Sequence, residues 1–292
     1  MNIPEKLHYD LKKDLEDYCV GELTKLQKRV VNNDPVYSYL LYYEKFISLR
    51  PRKIVKSKQF SPHLRYIDGL KSLEDAIENG GDLNLYQSKG YDRLNEDQMY
   101  NEWGIRHFHL GEKVDSKTGK IERTEHVLFA IVTHNTVYFI QVKSHKSFSS
   151  KIFLEIVDSN WPELIKQYLI DDSVRLFSKV GSKDRHKLRK AGVISFTQLK
   201  NGKIYMPTNG GYATNGSSNK LITKKIELEK RLSSIEKNLD KNRLKLAKDL
   251  QIDESIPLST IRIHLDMKSF FEKEIVLFDE YTKKKVVVHD KV

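Results

Sequence analysis

WGIRHFHL at 103–110, VLFAIV at 127–132 and VYFIQV at 137–142 are three short runs rich in aromatic and branched residues, and only the polar segment 133–136 divides the last two. Their length and bounding turn residues predict three antiparallel strands, with the last two joined as a hairpin. Within Arg106, His107, Phe108 and His109, the strand period of two sets both imidazoles on one face and Arg106 with Phe108 on the other. Adjoining segments add Arg123 and His126 ahead of the second strand. His145 lies just past the third, with Lys143, Lys146 and Phe148 beside it. Antiparallel neighbours predict that these side chains come within reach of one another.

Working outward, DPVYSYLLYYEKFI at 34–47 predicts an aromatic helix capped by Asp34 with Pro35 in its first position. LRPRKIVKSK at 49–58 follows as a cationic strand or connector. GLKSLEDAIENGG at 69–81 carries Leu70, Leu73 and Ile77 at helical spacing and stops at Gly80. After the third strand, IFLEIV leads into DSNWPELIKQYLI, where Ser159 or Asn160 is expected to cap a helix with Pro162 in its first turn. VISFTQLKNGKIYM at 193–206 reads as a hairpin around Asn201 and Gly202. Gly211, Gly216, Ser217 and Ser218 resemble a phosphate loop but lack its lysine, so a turn ending in a helix cap is predicted there. Leu221, Leu228, Leu232, Ile235, Leu239 and Leu246 form a heptad seam, which fits either a coiled-coil homodimer through 221–250 or an amphipathic helix laid on its own domain. IRIHLDM, EIVLF and KVVV then predict a terminal sheet.

Hydrophobic residues make up 39% of the 292 positions, with 15 Tyr and 12 Phe, enough for packed cores and too much for a disordered chain. Lys and Arg number 51 against 40 Asp and Glu, a formal charge of +11. Such a surface attracts polyanions, nucleic acid above all. Cys19 is the single cysteine, which excludes an internal disulfide and a four-cysteine zinc site and predicts a small buried hydrophobe in a reducing compartment. No secretory pattern opens MNIPEKLHYDLKKDLEDY, and no apolar run nears the roughly 18 residues of a membrane span. The expectation is a soluble cytoplasmic protein with no membrane contact.

Imidazoles that titrate near neutrality, cations for a phosphate and a ring for stacking a base are the parts of metal-independent RNA cleavage. One group takes the ribose 2′-OH proton, another protonates the leaving 5′ oxygen, and cations stabilise the phosphorane-like charge. Arg106 and Arg123 are expected to hold the phosphate, His109 and His145 to share base and acid roles with His107 assisting, and Phe148 to stack a base. Lys143 and Lys146 would add phosphate contacts. A second basic segment, GSKDRHKLRKAG at 181–192, predicts a short helix carrying Lys183, Arg185, Lys187, Arg189 and Lys190, either a phosphate-backbone grip or a solvated face. The His-x-His spacing of 107 and 109, with His145 as a third ligand, also fits a first-row metal. No cofactor is otherwise indicated.

From Trp103 through WGIRHFHL, RTEHVLFAIV and VYFIQVKSHKSF, the chain resembles the catalytic half of the RelE-type mRNA-interferase toxins, especially the YafQ-like branch. Arg106 and His109 fall on that family's Arg-x-x-His strand, and Ser144, His145 and Phe148 on its terminal motif. The resemblance implies a microbial-RNase-like fold with helices packed on an antiparallel sheet, cleavage of messenger RNA on the ribosome by 2′-OH attack, and an antitoxin partner in a toxin or phage-defence setting. Together these readings predict an α+β protein: an N-terminal helical segment at 1–50, a RelE-like domain at 51–172 and a C-terminal α/β extension at 173–292 with a long amphipathic helix. The competing reading is a non-catalytic nucleic-acid- or ribosome-binding module.

Overall fold

The structure, a computed structural model, describes residues 7–170, 176, 180–253, 255–280 and 282–288. Its helices are α1 (Leu11–Lys25), α2 (Pro35–Lys45), α3 (Ile67–Asn79), α4 (Gln98–Trp103), α5 (Ile152–Asn160), α6 (Ser182–Lys190), α7 (Asn219–Asp249) and α8 (Met267–Phe271). Its strands are β1 (Lys53–Lys56), β2 (Arg106–His109), β3 (Val114–Asp115), β4 (Lys120–Ile121), β5 (His126–Val132), β6 (Thr136–Ser144), β7 (Thr197–Gln198), β8 (Ile204–Tyr205), β9 (Ile263–Leu265), β10 (Ile275–Asp279) and β11 (Lys285–Val288). The chain is therefore mixed α+β. It divides into two compact units, Leu41–Ile222 and a second one formed by Met1–Leu40 with Thr223–Val292. The boundary expected at 172/173 lies outside the described residues.

The larger unit is built on a four-stranded sheet of order β1-β6-β5-β2. β2 runs antiparallel to β5 and β5 to β6, as the three runs predict, while β1 joins the far edge parallel to β6. Both faces of this sheet are buried. On one, Phe108, Leu128, Ala130 and Phe139 pack against Leu70, Leu73 and Ile77 of α3. On the other, Val127, Phe129 and Ile140 meet Phe153, Leu154 and Val157 of α5, with Trp103 and Ile105. A register shift between Phe129 and Ala130 re-phases β6, so that Phe139 and Val142, three residues apart, face the same layer while Ile140 turns to the other.

Two local expectations change. IFLEIV is not an approach to a helix but the helix itself, because Phe153, Leu154 and Val157 form an i, i+1, i+4 stripe that buries against the sheet. That helix ends at Asn160, where one was expected to begin, and Pro162 opens only a 3-10 turn. The hairpin around Asn201 and Gly202 forms, reduced to two residue pairs between β7 and β8.

In the smaller unit Leu11, Leu15, Cys19 and Leu23 of α1 are buried, and burial pushes the Cys19 thiol up to about 12. Leu232, Ile235, Leu239 and Leu246 of the heptad seam are buried as well, with a non-helical break at Asn242. The three terminal strands pair in the order β11-β10-β9. No helix among the described residues is long and apolar enough to cross a membrane.

Gly69 gives the packing of α3 a sharp test. A Cβ there would lie 2.0 Å from the backbone oxygen of Leu110, just beyond β2. Alanine normally stabilises a helix interior relative to glycine by about 0.5–1 kcal/mol. Here the sign should reverse, and Gly69→Ala is expected to destabilise by about 1–3 kcal/mol, since rigid backbone must move to admit the methyl. Denaturant titration reads this directly, and a midpoint at or above that of the native protein contradicts the packing described.

Candidate active site

The site begins at a corner. Asp97 caps α4 by accepting from Tyr100 N at 3.0 Å, and Gly104, at φ 70°, turns the chain out of the helix. That turn places Ile105, His107 and His109 on the α5 face of β2. The end of β6 then supplies His145, whose backbone N–H donates to Glu125 O at 2.7 Å. The three imidazoles do converge: ring centroids of His107 are 6.0 Å from His109 and 5.3 Å from His145, and those of His109 and His145 are 5.6 Å apart. Phe148 closes the group edge-on, 4.7 Å from the rings of both His107 and His145.

The Nε2 atom of each of the three rings is buried and has no hydrogen-bond partner. His107 is 9% exposed and His109 1%. Burial, the first cause in each case, drives His107 down to about 4 and His109 to about 3, aided by the neighbouring rings and the Arg123 guanidinium; Asp97 opposes the shift at His107. His145 is also lowered by burial and by Arg123. All three are accordingly neutral at pH 7.

One potential ligand nitrogen from each ring lies within 4.8 Å of the other two, the spacing that a three-histidine metal site needs. The hydrogen bonding of His109 does not fit one. A histidine that ligates through Nε2 gives its Nδ1–H to an acceptor. His109 does the reverse: its Nδ1 accepts from Thr124 N at 3.1 Å, so the neutral ring carries its hydrogen on Nε2 and has no lone pair left for an ion. On the Nδ1 side of His107 stands Asp97, its Oδ2 3.6 Å away, which favours hydrogen there and leaves the Nε2 lone pair directed at the shared space.

His107, His145, Arg123 and Phe148 line a cavity of about 770 Å³. Its walls carry six Lys or Arg residues (Lys45, Lys89, Arg93, Arg106, Arg123, Arg189) against two carboxylates, Glu96 and Asp97. Arg123 is exposed, and no carboxylate among the described residues pairs with it. Beneath the cavity, Glu102 accepts from Arg185 Nη1 at 2.6 Å and from Arg189 Nε at 2.7 Å, all three residues being no more than 3% exposed. Both guanidinium groups lie over the Trp103 ring, at 5.1 and 4.6 Å. One carboxylate against two guanidiniums leaves a net positive charge in the interior, and Arg189 presents it to the cavity wall.

Several expected contacts are therefore relocated. Arg185 and Arg189 do not face outward from α6, because Glu102 and Trp103 hold them inside. Arg106 does not hold its guanidinium ready for a phosphate: Nη1 donates to Lys45 O at 2.8 Å and Gln87 Oε1 at 3.2 Å, and Nη2 to Glu44 O at 2.7 Å and Tyr100 Oη at 3.2 Å. Lys143 and Lys190 stand exposed away from the cavity, whereas Lys146, Lys183 and Lys187 are exposed beside it. His126 packs against His63 at 4.3 Å instead of joining the cluster. Asp97, Lys45 and Glu102 were not anticipated. The helix-cap pattern of Asp97 ahead of a short apolar segment was readable in sequence; nothing local marks Glu102 as buried.

Comparison of the chain with protein-family models, with curated proteins and with solved structures gives no match.

Two outcomes follow from this geometry. Removing the Glu102 charge leaves two buried guanidiniums uncompensated, so Glu102→Gln is expected to lower stability by about 3–5 kcal/mol, read by chemical denaturation; a loss under 1 kcal/mol contradicts the buried pairing. His107 and His109 hold folded-state values well below the usual 6.5, so an unfolded chain binds more protons than the folded one between those limits. Their contribution to stability is present in full above about pH 6.5 and declines as pH falls toward 4. NMR of the ring Cε1–H resonances should find neither titrating between pH 8 and 5.5, and a midpoint near 6.5 for either ring contradicts the burial.

Proposed function

We propose that the Leu41–Ile222 unit is a metal-independent endoribonuclease that cuts RNA by attack of the ribose 2′-OH on the adjacent phosphorus. One observation carries this reading: three unpartnered imidazole nitrogens converge, and two of the rings, His107 and His145, line a cationic cavity. The RelE-type resemblance supports it, because that family's strand histidine falls on His109 and its terminal His and Phe on His145 and Phe148, which meet in that cluster. So does the α+β arrangement of a sheet covered by helices.

Each side chain has a distinct task. His107, neutral and oriented by Asp97, takes the 2′-OH proton on Nε2 as general base. The freed 2′ oxygen bonds to phosphorus, and the 5′ oxygen departs with a proton delivered by His145. The products are a 2′,3′-cyclic phosphate and a 5′-hydroxyl end. His145 is the most exposed of the three rings, and an entering phosphate raises its proton affinity by charge alone. His109, which does not line the cavity, packs against both rings and holds them in place, and Arg123, not Arg106, is an exposed cation that stabilises the developing charge. Phe148 fixes the orientation of the two rings it touches and offers its remaining surface to a base.

Chelator-treated protein is expected to cleave a labelled unstructured RNA oligonucleotide and to leave the DNA of the same sequence intact. His107→Ala and His145→Ala should each lower kcat/KM by about 10²–10⁴. Intact cleavage by His107→Ala, or cleavage that vanishes with chelator, overturns the assignment. The pH profile separates this centre from an ordinary histidine pair. With the base lowered to about 4 and the acid below 6.5, kcat/KM should peak on the acid side of pH 6.5, and a maximum above pH 7.5 contradicts the electrostatics.

A further inference from the structure

Next to the imidazole cavity lies a second cleft, of about 590 Å³. Ser149 and His186 line both, so the two hollows share a wall. The cleft forms between the turn that follows His145 and the outer face of α6. Lys146 comes from the turn, Lys183 and Lys187 from the helix one turn apart, and serine hydroxyls fill the spaces between them. No carboxylate lines it. None of the three lysines is ion-paired among the described residues, and all are exposed. α6 is oriented for this by its own interior face: the Glu102 carboxylate holds Arg185 and Arg189 inward, which leaves the intervening lysines outward.

We infer that this cleft is a phosphate-binding extension of the active site and that the substrate is a single-stranded RNA long enough to occupy both hollows. The inference rests on the nuclease reading for its register but not for its chemistry. A mono- or dinucleotide would engage the imidazole cavity alone. A strand reaching beyond the scissile bond passes Ser149 and His186 and sets its next phosphates against Lys146, Lys183 and Lys187. Duplex RNA is excluded by depth: His107 and His109 are nearly sealed from solvent, so the reacting phosphate has to enter a hollow, which a splayed strand can do and a paired one cannot.

The test uses binding, so that it stands apart from cleavage. A fluorescent twelve-nucleotide 2′-O-methyl RNA, which has no free 2′-OH to attack phosphorus, is titrated by anisotropy across a salt series, with the full native chain and with the triple variant Lys146→Ala, Lys183→Ala, Lys187→Ala, its fold checked by circular dichroism. Each single-strand phosphate contact contributes about 0.7 to the slope of log K against log salt, so the variant slope should be shallower by about 2. Its affinity at low salt should fall at least tenfold, and the native preference for the twelve-mer over a dinucleotide should collapse. Unchanged slope and affinity in the variant overturn the inference, whether or not the native protein cleaves RNA. So does a variant that keeps RNA binding and loses only binding of polyglutamate, an outcome that assigns the lysines to an acidic protein instead. Native-like binding of the equivalent blunt duplex overturns the single-strand requirement.

Discussion

The carboxylate of Glu102 is the point on which the larger unit turns. It is desolvated at the last turn of α4, one residue before the Trp103 ring, and it is shared by two arginines of α6. A buried ion of this kind is sustained only by close partners, since each unpaired charge in such a setting costs several kcal/mol. The consequence is geometric. Arg189 also donates to Phe148 O at 2.5 Å, so the same cluster fixes the ring that orders His107 and His145. The corner that bears Glu102 passes directly through Gly104 into β2. Sheet, histidines, aromatic ring and basic helix are tied through one carboxylate.

The charge imbalance of that cluster has a chemical counterpart. Three neutral imidazoles and a surplus of buried positive charge form a site whose electrostatics favour an anion. On the proposed mechanism a phosphate would meet the guanidinium of Arg123 and the field of the Arg185, Glu102 and Arg189 group together. On the same mechanism, the low proton affinities of the free rings and the raised affinity of a phosphate-bound one would be two sides of the same linkage, with one ring serving as base and its neighbour as acid.

Much of this was legible in the sequence because it depends on period. The alternation in Arg106, His107, Phe108 and His109 put the two imidazoles on one face, and the hairpin of 127–142 carried His145 toward them. Leu70, Leu73 and Ile77 announced α3, and Asn201 with Gly202 announced a turn. What resisted reading depends on long-range partners. Nothing near Arg185 or Arg189 in sequence reveals a carboxylate some 80 positions earlier, so a helix dense in cations read as an outward face, whether grip or solvated surface, when alternate cations face inward. Arg106 likewise looks available until the carbonyls of Glu44 and Lys45 fold over it. IFLEIV was ambiguous for a different reason: a six-residue apolar run suits a buried strand or a buried helix, and only packing against the sheet decides.

Phosphorus NMR of the reaction products, formed from a defined RNA oligonucleotide in excess chelator, tests the three-imidazole mechanism most directly. Attack by the ribose predicts a 2′,3′-cyclic phosphate resonance on the upstream fragment and a 5′-hydroxyl on the downstream one. Fragments that instead carry 5′-phosphates would mean that water, not the ribose, attacks phosphorus, and they would contradict the base and acid roles of His107 and His145.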